Sequence, residues 1–495
     1  MFTLNPDITL YPFQREAVQS ALTRDDHLLV LPTGGGKTFT SITAGAERGK
    51  RMLILTRKTL VKQWQGELSK LLGDSAKVWV PKGGQLKNMS KRHLGKLKDA
   101  NIILTNFDKC ISLRVFLAAW VEHNDAGVIM DEIQYCSNHK RWDVHMEENG
   151  QTSLTPFYES KAAGVEHVAH KASWRISMSA TPQRTGRNTL WSPLHITFPN
   201  QVDSFRKWTD RYCGRVNGEY GVEFVKDTNS RELKAWLKPR SFVVSEEVVE
   251  KYKQSHLEMQ RTVIPAREQL VEGIREEFQA EMRRASKEGA QARTECLLAE
   301  ATYRKRPYLV KEVAKRLAEG KNVAIVVNRL RECRWLKENM PKLVEQIFVQ
   351  QVYEGDMNQT ARDKSVAGWM YSKAHRDEKG FKPDDVPSLL IMTEQSAGVG
   401  LNLDNADHVF CASLPYNQLT GVQIRGRFSR LSTKRNCVFE YLVAEGTYDE
   451  DVVEKLGTRL ESVIDMFNDT VAADINKTLC TMSEQRLEDI MASLL

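Results

Sequence analysis

The sequence predicts an α/β protein: two tandem parallel-sheet domains with a helical insertion between them. Three observations carry this. From Leu28 to Met178, short apolar or β-branched runs alternate with helical or loop material. That is the pattern of a parallel sheet covered by helices on both faces. Over residues 246–306 the alternation gives way to a charged stretch rich in Glu, Lys, Arg, Ala and Gln. From Val323 to Leu442 it resumes.

The first domain draws its strands from Leu28–Val30, Leu53–Thr56, Ile102–Thr105, Gly127–Met130 and Arg175–Met178. The second draws on Val323–Val327, Gln346–Val349, Ser388–Met392, His408–Cys411 and Val438–Leu442. Between them, residues 246–306 read as two or more long projecting helices, with Pro265 and Gly289 as the main turn signals. Arg283, Arg284, Lys287 and Arg293 make this stretch a candidate nucleic-acid arm; the interleaved Glu276, Glu277 and Glu281 suit a solvated hairpin equally well. Tyr371–Pro387 is polar and reads as an exposed loop. The expected boundaries are 1–184, an insertion at 185–305, a second domain at 306–465 and a helical tail at 466–495.

Composition narrows the class. The 495 residues suffice for two to four domains. A net charge of +7 permits a polyanionic partner without demanding one. No leader peptide or bilayer-length apolar run is evident, so a cytoplasmic monomer with no membrane partner is expected, in a bacterial or phage-infected cell. The eight cysteines form no C-x-x-C pair and read as reduced thiols. Cys136 and His139 lie three apart but lack the second pair that a zinc site needs.

The strongest local signal is Leu31-Pro32-Thr33-Gly34-Gly35-Gly36-Lys37-Thr38, after an apolar strand and before the small-residue run Thr40–Ala46. Strand, glycine-rich turn, Gly-Lys-Thr and helix make a phosphate-binding loop. The glycines let the backbone wrap an anion, and the helix start favours negative charge. Lys37 is expected to reach the β/γ-phosphates of ATP, and the Thr38 hydroxyl to hold Mg²⁺. Leu31 stands where the full pattern has a glycine. Asp131 and Glu132 follow the strand Gly127–Met130, where parallel sheets place ligands. Asp131 is expected to bind Mg²⁺ and Glu132 to deprotonate the attacking water. Only the first domain carries the loop, which suggests a nucleotide sandwiched between the domains. Arg427 and Arg430 lie three apart, on one face if helical. Such guanidinium groups stabilise transition-state charge on a γ-phosphate.

In this order the motifs resemble those of the superfamily 2 helicases and translocases, over about residues 8–465. Leu10–Gln14 resembles the segment whose glutamine, here Gln14, contacts adenine. Leu53–Thr56 through Gln63-Trp64 resembles motif Ia, and Leu104–Asp108 motif Ib. Ser179-Ala180-Thr181-Pro182 resembles motif III, which couples the ATP site to the nucleic acid. Gly355-Asp356, Arg362 and Trp369 resemble the segment between motifs IV and V. Ala397–Leu403 resembles motif V and Gln423–Arg430 motif VI. Motif V, Gln423 and Tyr441–Glu450 are most similar to the Swi/Snf-type DNA translocases, in a short, annealing-helicase-like form. The resemblance implies two RecA-like domains. It adds Thr33, Gly34, Gly35, Gly36, Gly400 and Gln423 to the nucleotide contacts, and Thr56, Arg57, Lys58, Thr105, Asn106 and Asn402 to the nucleic-acid contacts. Two departures stand out: Asp-Glu-Ile-Gln where the family usually has Asp-Glu-x-His, and Phe428-Ser429 where Ala-His is usual. A glutamine can still hydrogen-bond across to motif III.

The expected function is an ATP-driven motor on duplex or branched DNA that remodels DNA or displaces bound protein. Alternatives are a strand-separating or branch-migrating helicase on forks and recombination intermediates, and a nucleic-acid-stimulated ATPase switch read by a protein partner. No nucleosome-recognition appendage is evident.

Overall fold

The computed structural model describes residues 2–81, 95, 97–137, 142–146, 152–156, 160–184, 186–218, 221–270, 278, 281, 283–285, 290–345, 348–354, 357, 359–370, 386–394, 403–415, 418–431, 433–467 and 470–480. Two compact units divide the chain, Met1–Val248 with Asp465–Asn468, and Val249–Ile464 with Asp469–Leu495.

The strands of the first unit are β1 (Asp26–Val30), β2 (Met52–Thr56), β3 (Val78–Trp79), β4 (Ile102–Asn106), β5 (Gly127–Asp131), β6 (Trp142–Met146), β7 (Thr152–Pro156), β8 (Arg175–Ser179), β9 (Arg215–Gly218), β10 (Gly221–Phe224) and β11 (Ser241–Val243). Seven form a sheet in the order β11-β1-β8-β5-β2-β4-β3, with every neighbouring pair parallel. β6–β7 and β9–β10 are separate antiparallel hairpins. β2, β5 and β8 are buried along their whole length, as helices on both faces of a parallel sheet require. Gly127 opens β5 because the Trp174 ring fills the place of a side chain: a Cβ there would lie 1.8 Å from the indole.

In the second unit, β12 (Leu257–Ile264), β13 (Val323–Val327), β14 (Val349–Tyr353), β15 (Ser388–Thr393), β16 (His408–Cys411) and β17 (Cys437–Ala444) form a parallel sheet in the order β12-β17-β16-β13-β15-β14. Val323, Ile325, Val327, Leu389, Ile391, Phe410 and Leu442 form its core with Leu309, Val313 and Leu336 from flanking helices. The fold is therefore the two-sheet α/β architecture that the alternation implies.

The segment between the expected domains differs from the sequence reading. β11 joins the first sheet beside β1, in register Leu28↔Ser241. β12 pairs with β17 along all of its eight residues, from Leu257↔Cys437 to Ile264↔Ala444. Residues 185–305 are thus shared between the two units rather than set apart as an insertion. The charge of Leu-Glu-Met-Gln-Arg-Thr-Val-Ile disguised an edge strand whose polar residues are tolerated because one edge has no neighbour. The Thr262 hydroxyl donates to Glu440 Oε1 at 2.6 Å, so one of those polar side chains is satisfied across the pair. Further along, Glu281 pairs with Arg329 (3.3 Å) and Arg331 (3.4 Å) of the same unit. Phe278, Ala285 and Cys296 form a small core beside it. These described residues pack on their own unit. Arg283, Arg284 and Arg293 are exposed, and Lys287 lies outside the described residues.

The expected strand Gln346–Val349 is also displaced. β14 starts at Val349, in register with Ser388, and continues through Gln350 and Gln351 to Tyr353. It is an edge strand, so apolarity did not mark it. Most of the Tyr371–Pro387 segment, and residues 481–495 of the tail, lie outside the described residues. No described helix is long and apolar enough to cross a membrane.

Candidate active site

The loop after β1 is built as its glycines require. Gly34 and Gly36 adopt φ of +83° and +82°, which L side chains rarely occupy. The helix Lys37–Glu47 starts immediately after Gly36. Gln14 comes from the preceding helix, Pro12–Leu22. Its Oε1 accepts from Tyr11 N (3.0 Å), closing that helix's N-terminus, and its Nε2 donates to Gly35 O (3.0 Å). A Cβ on Gly36 would fall 2.1 Å from Gln14 Nε2. Gln14 therefore braces the loop directly, a role beyond the adenine contact expected of it. Thr33 and Lys37 are buried, and Gly34 and Thr38 half-buried. The Lys37 ammonium lies on the loop's own carbonyls, donating to Leu31 O (3.2 Å) and Pro32 O (3.4 Å).

At the carboxyl end of β5, Asp131 Oδ2 accepts from Trp64 Nε1 (2.9 Å) and from the Thr56 hydroxyl (3.1 Å). These two donors fix the plane of the carboxylate. Burial raises the Asp131 pKa to about 6, helped by the adjacent Glu132 charge, while Trp64, Lys37 and Thr56 pull it back. A threonine hydroxyl and a carboxylate are hard oxygen donors, so Thr38 and Asp131 suit Mg²⁺ by chemistry.

Glu132 adopts a left-handed conformation, φ 57° and ψ 50°. Few non-glycine residues do so, and such strain gathers at functional sites. The turn aims the side chain back at the site, where the Gln134 amide donates to Glu132 Oε2. Gln134 Oε1 in turn accepts from the Ser179 hydroxyl at 2.7 Å, and Ser179 Oγ accepts from Thr181 N at 2.9 Å. One continuous relay thus runs from Glu132 to the Ser-Ala-Thr segment after β8. Gln134 makes the crossing that the sequence allowed for it.

Two of the expected nucleic-acid contacts have buried side chains. Thr56 is fully buried with its hydroxyl on Asp131, and Thr105 is 2% exposed. Thr56 ends β2, and Thr105 is the last residue but one of β4. Arg57 is half-buried, its guanidinium 4.3 Å from the Tyr135 ring centre. Lys58 is exposed. Asn106 accepts from Lys109 N at 3.2 Å. Gly400 and Asn402 lie outside the described residues.

In the second unit, the helix Gln418–Phe428 carries Gln423, Arg425 and Arg427, which are 3%, 5% and 6% exposed. That burial argues against a solvated basic face. The helix stops at Phe428, so Arg430 does not share a helical face with Arg427. Instead, Arg430 N donates to Thr433 Oγ1 at 2.9 Å and Thr433 N returns to Arg430 O at 3.0 Å, forming a turn. The end of the motif V segment docks here, through Leu403 N to Arg427 O at 3.0 Å.

The residue that sequence reasoning missed is Trp64. Its spacing with Leu68 and Leu71 on the helix Val61–Leu72 marks a core face. Only its position within motif Ia hinted at more. Cys110, Cys136, Cys213, Cys296, Cys333, Cys411 and Cys437 are buried free thiols, and His139 lies outside the described residues.

Fold and site together define a helicase-type ATPase. Comparison with known proteins agrees. Residues 7–184 match the family described as type III restriction enzyme, res subunit, and residues 304–432 match the helicase conserved C-terminal domain. A Xenopus laevis protein, "SWI/SNF-related matrix-associated actin-dependent regulator of chromatin subfamily A-like protein 1", is 23% identical over 462 residues, covering 89% of this chain and 42% of the relative. Its Caenorhabditis elegans homologue is 21% identical over 459 residues, covering 89% of this chain and 59% of that protein. The chain thus spans about half the length of the relatives it matches. The solved Sulfolobus solfataricus SWI2/SNF2 ATPase core in complex with dsDNA aligns with a TM-score of 0.41 at 16% identity, over 95% of this chain and 97% of that one. The chain thus carries two helicase-type ATPase domains and is similar to Swi/Snf-type members of superfamily 2.

Proposed function

We propose that this protein is an ATP-driven motor that moves on duplex or branched DNA. The observation that carries the reading is the relay Glu132–Gln134–Ser179–Thr181. It ties the group best placed to activate water to the segment through which this family's chemistry reaches nucleic acid.

Glu132, aimed by its left-handed turn, takes a proton from the attacking water. Lys37 exchanges the Leu31 and Pro32 carbonyls for the β/γ-phosphates, and the backbone of Thr33–Gly36 wraps them. Gln14 keeps the loop in shape and offers its amide to adenine. Thr38 and Asp131 hold Mg²⁺, which when bound neutralises phosphate charge. Arg427 and Arg430 supply further positive charge to the transition state, and Gly400 and Gln423 complete the nucleotide contacts. On the DNA side, Arg57, Lys58, Asn106 and Asn402 remain the candidates. Contacts to phosphate give affinity without sequence preference and make binding salt-dependent.

Side-by-side ATPase rates with duplex, single-stranded, forked and Holliday-junction DNA and with RNA test the substrate. Duplex-containing or branched DNA should stimulate most. Equal stimulation by RNA would remove the DNA assignment while leaving the ATPase intact.

A further inference from the structure

Away from the nucleotide loop, the first unit gathers Glu166, His170 and His195, whose ligating atoms all lie within 4.8 Å of one another. Glu166 lies on the helix Lys161–Ala169 and His170 caps it, with His170 N still donating to Glu166 O at 2.9 Å. Four residues apart on a continuing helical turn, the two side chains share a face. His195 comes from the helix Arg187–Thr197. Its Nε2 lies 3.1 Å from Glu166 Oε1.

Three further features bear on the site. His170 Nε2 lies 3.1 Å from the His195 carbonyl oxygen. A ligating histidine commonly makes such an outer-shell bond with the ring nitrogen that does not hold the ion. The His195 ring stacks on Trp191, with centres 4.7 Å apart and planes 12° apart, so its orientation is fixed. The 3.1 Å gap between His195 Nε2 and Glu166 Oε1 is what two ligands at about 2.1 Å subtend at roughly 95°, tighter than a regular tetrahedral angle.

We infer that Glu166, His170 and His195 form a binding site for a zinc-type divalent transition metal, joining the helices Lys161–Ala169 and Arg187–Thr197. The ligands are a Glu166 carboxylate oxygen, a His170 ring nitrogen and a His195 ring nitrogen. Two imidazoles and one carboxylate are a recognised zinc set with a further position open to water. Mg²⁺, which prefers an all-oxygen shell, is a poor occupant. The site bears on the ATPase core through Ser192, one turn before His195, whose hydroxyl donates to the Cys136 carbonyl in the turn that follows Glu132. Metal at this position therefore braces the helix on which that turn rests.

The test is zinc titration of the full chain by calorimetry and by competition with a chromophoric chelator, in saturating Mg²⁺. One zinc per chain is expected, and Co²⁺ should give the visible absorption bands of a low-coordinate site. His170→Gln, His195→Ala and Glu166→Gln should each weaken zinc binding by about a hundredfold or more. Zinc should also raise the melting temperature of the wild type by a few degrees, and not that of Glu166→Gln. Glu166→Gln keeps a hydrogen-bond acceptor for His195, so it reads the site even where His195→Ala fails to fold. Absent saturable zinc binding, zinc binding unchanged in all three variants, or zinc displaced in proportion to added Mg²⁺ would each overturn the site. The readouts are independent of ATP hydrolysis, so they stand or fall apart from the motor reading.

Discussion

Loss of Lys37 should silence hydrolysis without disturbing the sheet. It lies on the Leu31 and Pro32 carbonyls and contributes a single positioned charge. Lys37→Ala should lower the hydrolysis rate on the order of a hundredfold or more, and weaken nucleotide binding. A steady-state ATPase assay with wild-type turnover in this variant would remove the loop from the mechanism. Glu132→Gln should differ: nucleotide and DNA should bind and persist together while hydrolysis stops. Normal hydrolysis there would show that another group activates the water. Gln134→Ala breaks the relay between Glu132 and Ser179. It should keep part of the DNA-stimulated hydrolysis and lose movement, which parallel ATPase and translocation assays resolve. At this scale the positions of Lys37 in the loop and of Asp131 and Glu132 at the end of β5 were legible because they are tied to a local spacing. Trp64 and the inward-facing Thr56 were not, because their roles depend on a partner 67 and 75 residues away.

Among the elements, β5 and β1 offer the clearest tests. Gly127 faces the Trp174 ring at a distance that admits no Cβ. Gly127→Ala should cost about 2 kcal/mol or more, because a close-packed interior does not yield to added volume. Urea denaturation measures it, and an unchanged midpoint would show that Trp174 can move aside. His27 on β1 is 1% exposed. Burial pushes its pKa down to about 4, with Arg48 and Arg24 adding repulsion. Its folded pKa lies below the unfolded value of 6.5, so its contribution is complete above pH 6.5 and is lost as pH falls towards 4. His27→Gln should remove that dependence, making the variant less acid-sensitive than the wild type by about 3 kcal/mol across the window. Parallel stability curves between pH 7 and 4 would contradict this. The central strands were legible as continuous apolar runs because both of their faces are covered. The edge strands β12 and β14 were not, since an edge tolerates charge and amide side chains, and pairing rather than composition defines them. The short β11 is three residues long, too brief for any periodicity to register.

At the scale of the whole molecule, both sheets are required for the proposed cycle, because the loop lies in one and Arg427 and Arg430 in the other. Arg427→Ala should lower hydrolysis while ATP affinity is nearly preserved. Equilibrium binding of a fluorescent nucleotide beside turnover separates the two effects, and loss of affinity alone would make Arg427 a binding residue. The tandem architecture was legible in the alternation of runs, whereas the path of residues 185–305 between the two sheets was not. The most direct test of the motor is displacement of a triplex-forming third strand from duplex DNA. The account predicts ATP-dependent release after a lag that lengthens with the duplex to be crossed, absent in Lys37→Ala and Glu132→Gln. DNA-stimulated hydrolysis with the third strand left in place at every length would contradict it and define the protein as a nucleic-acid-gated switch.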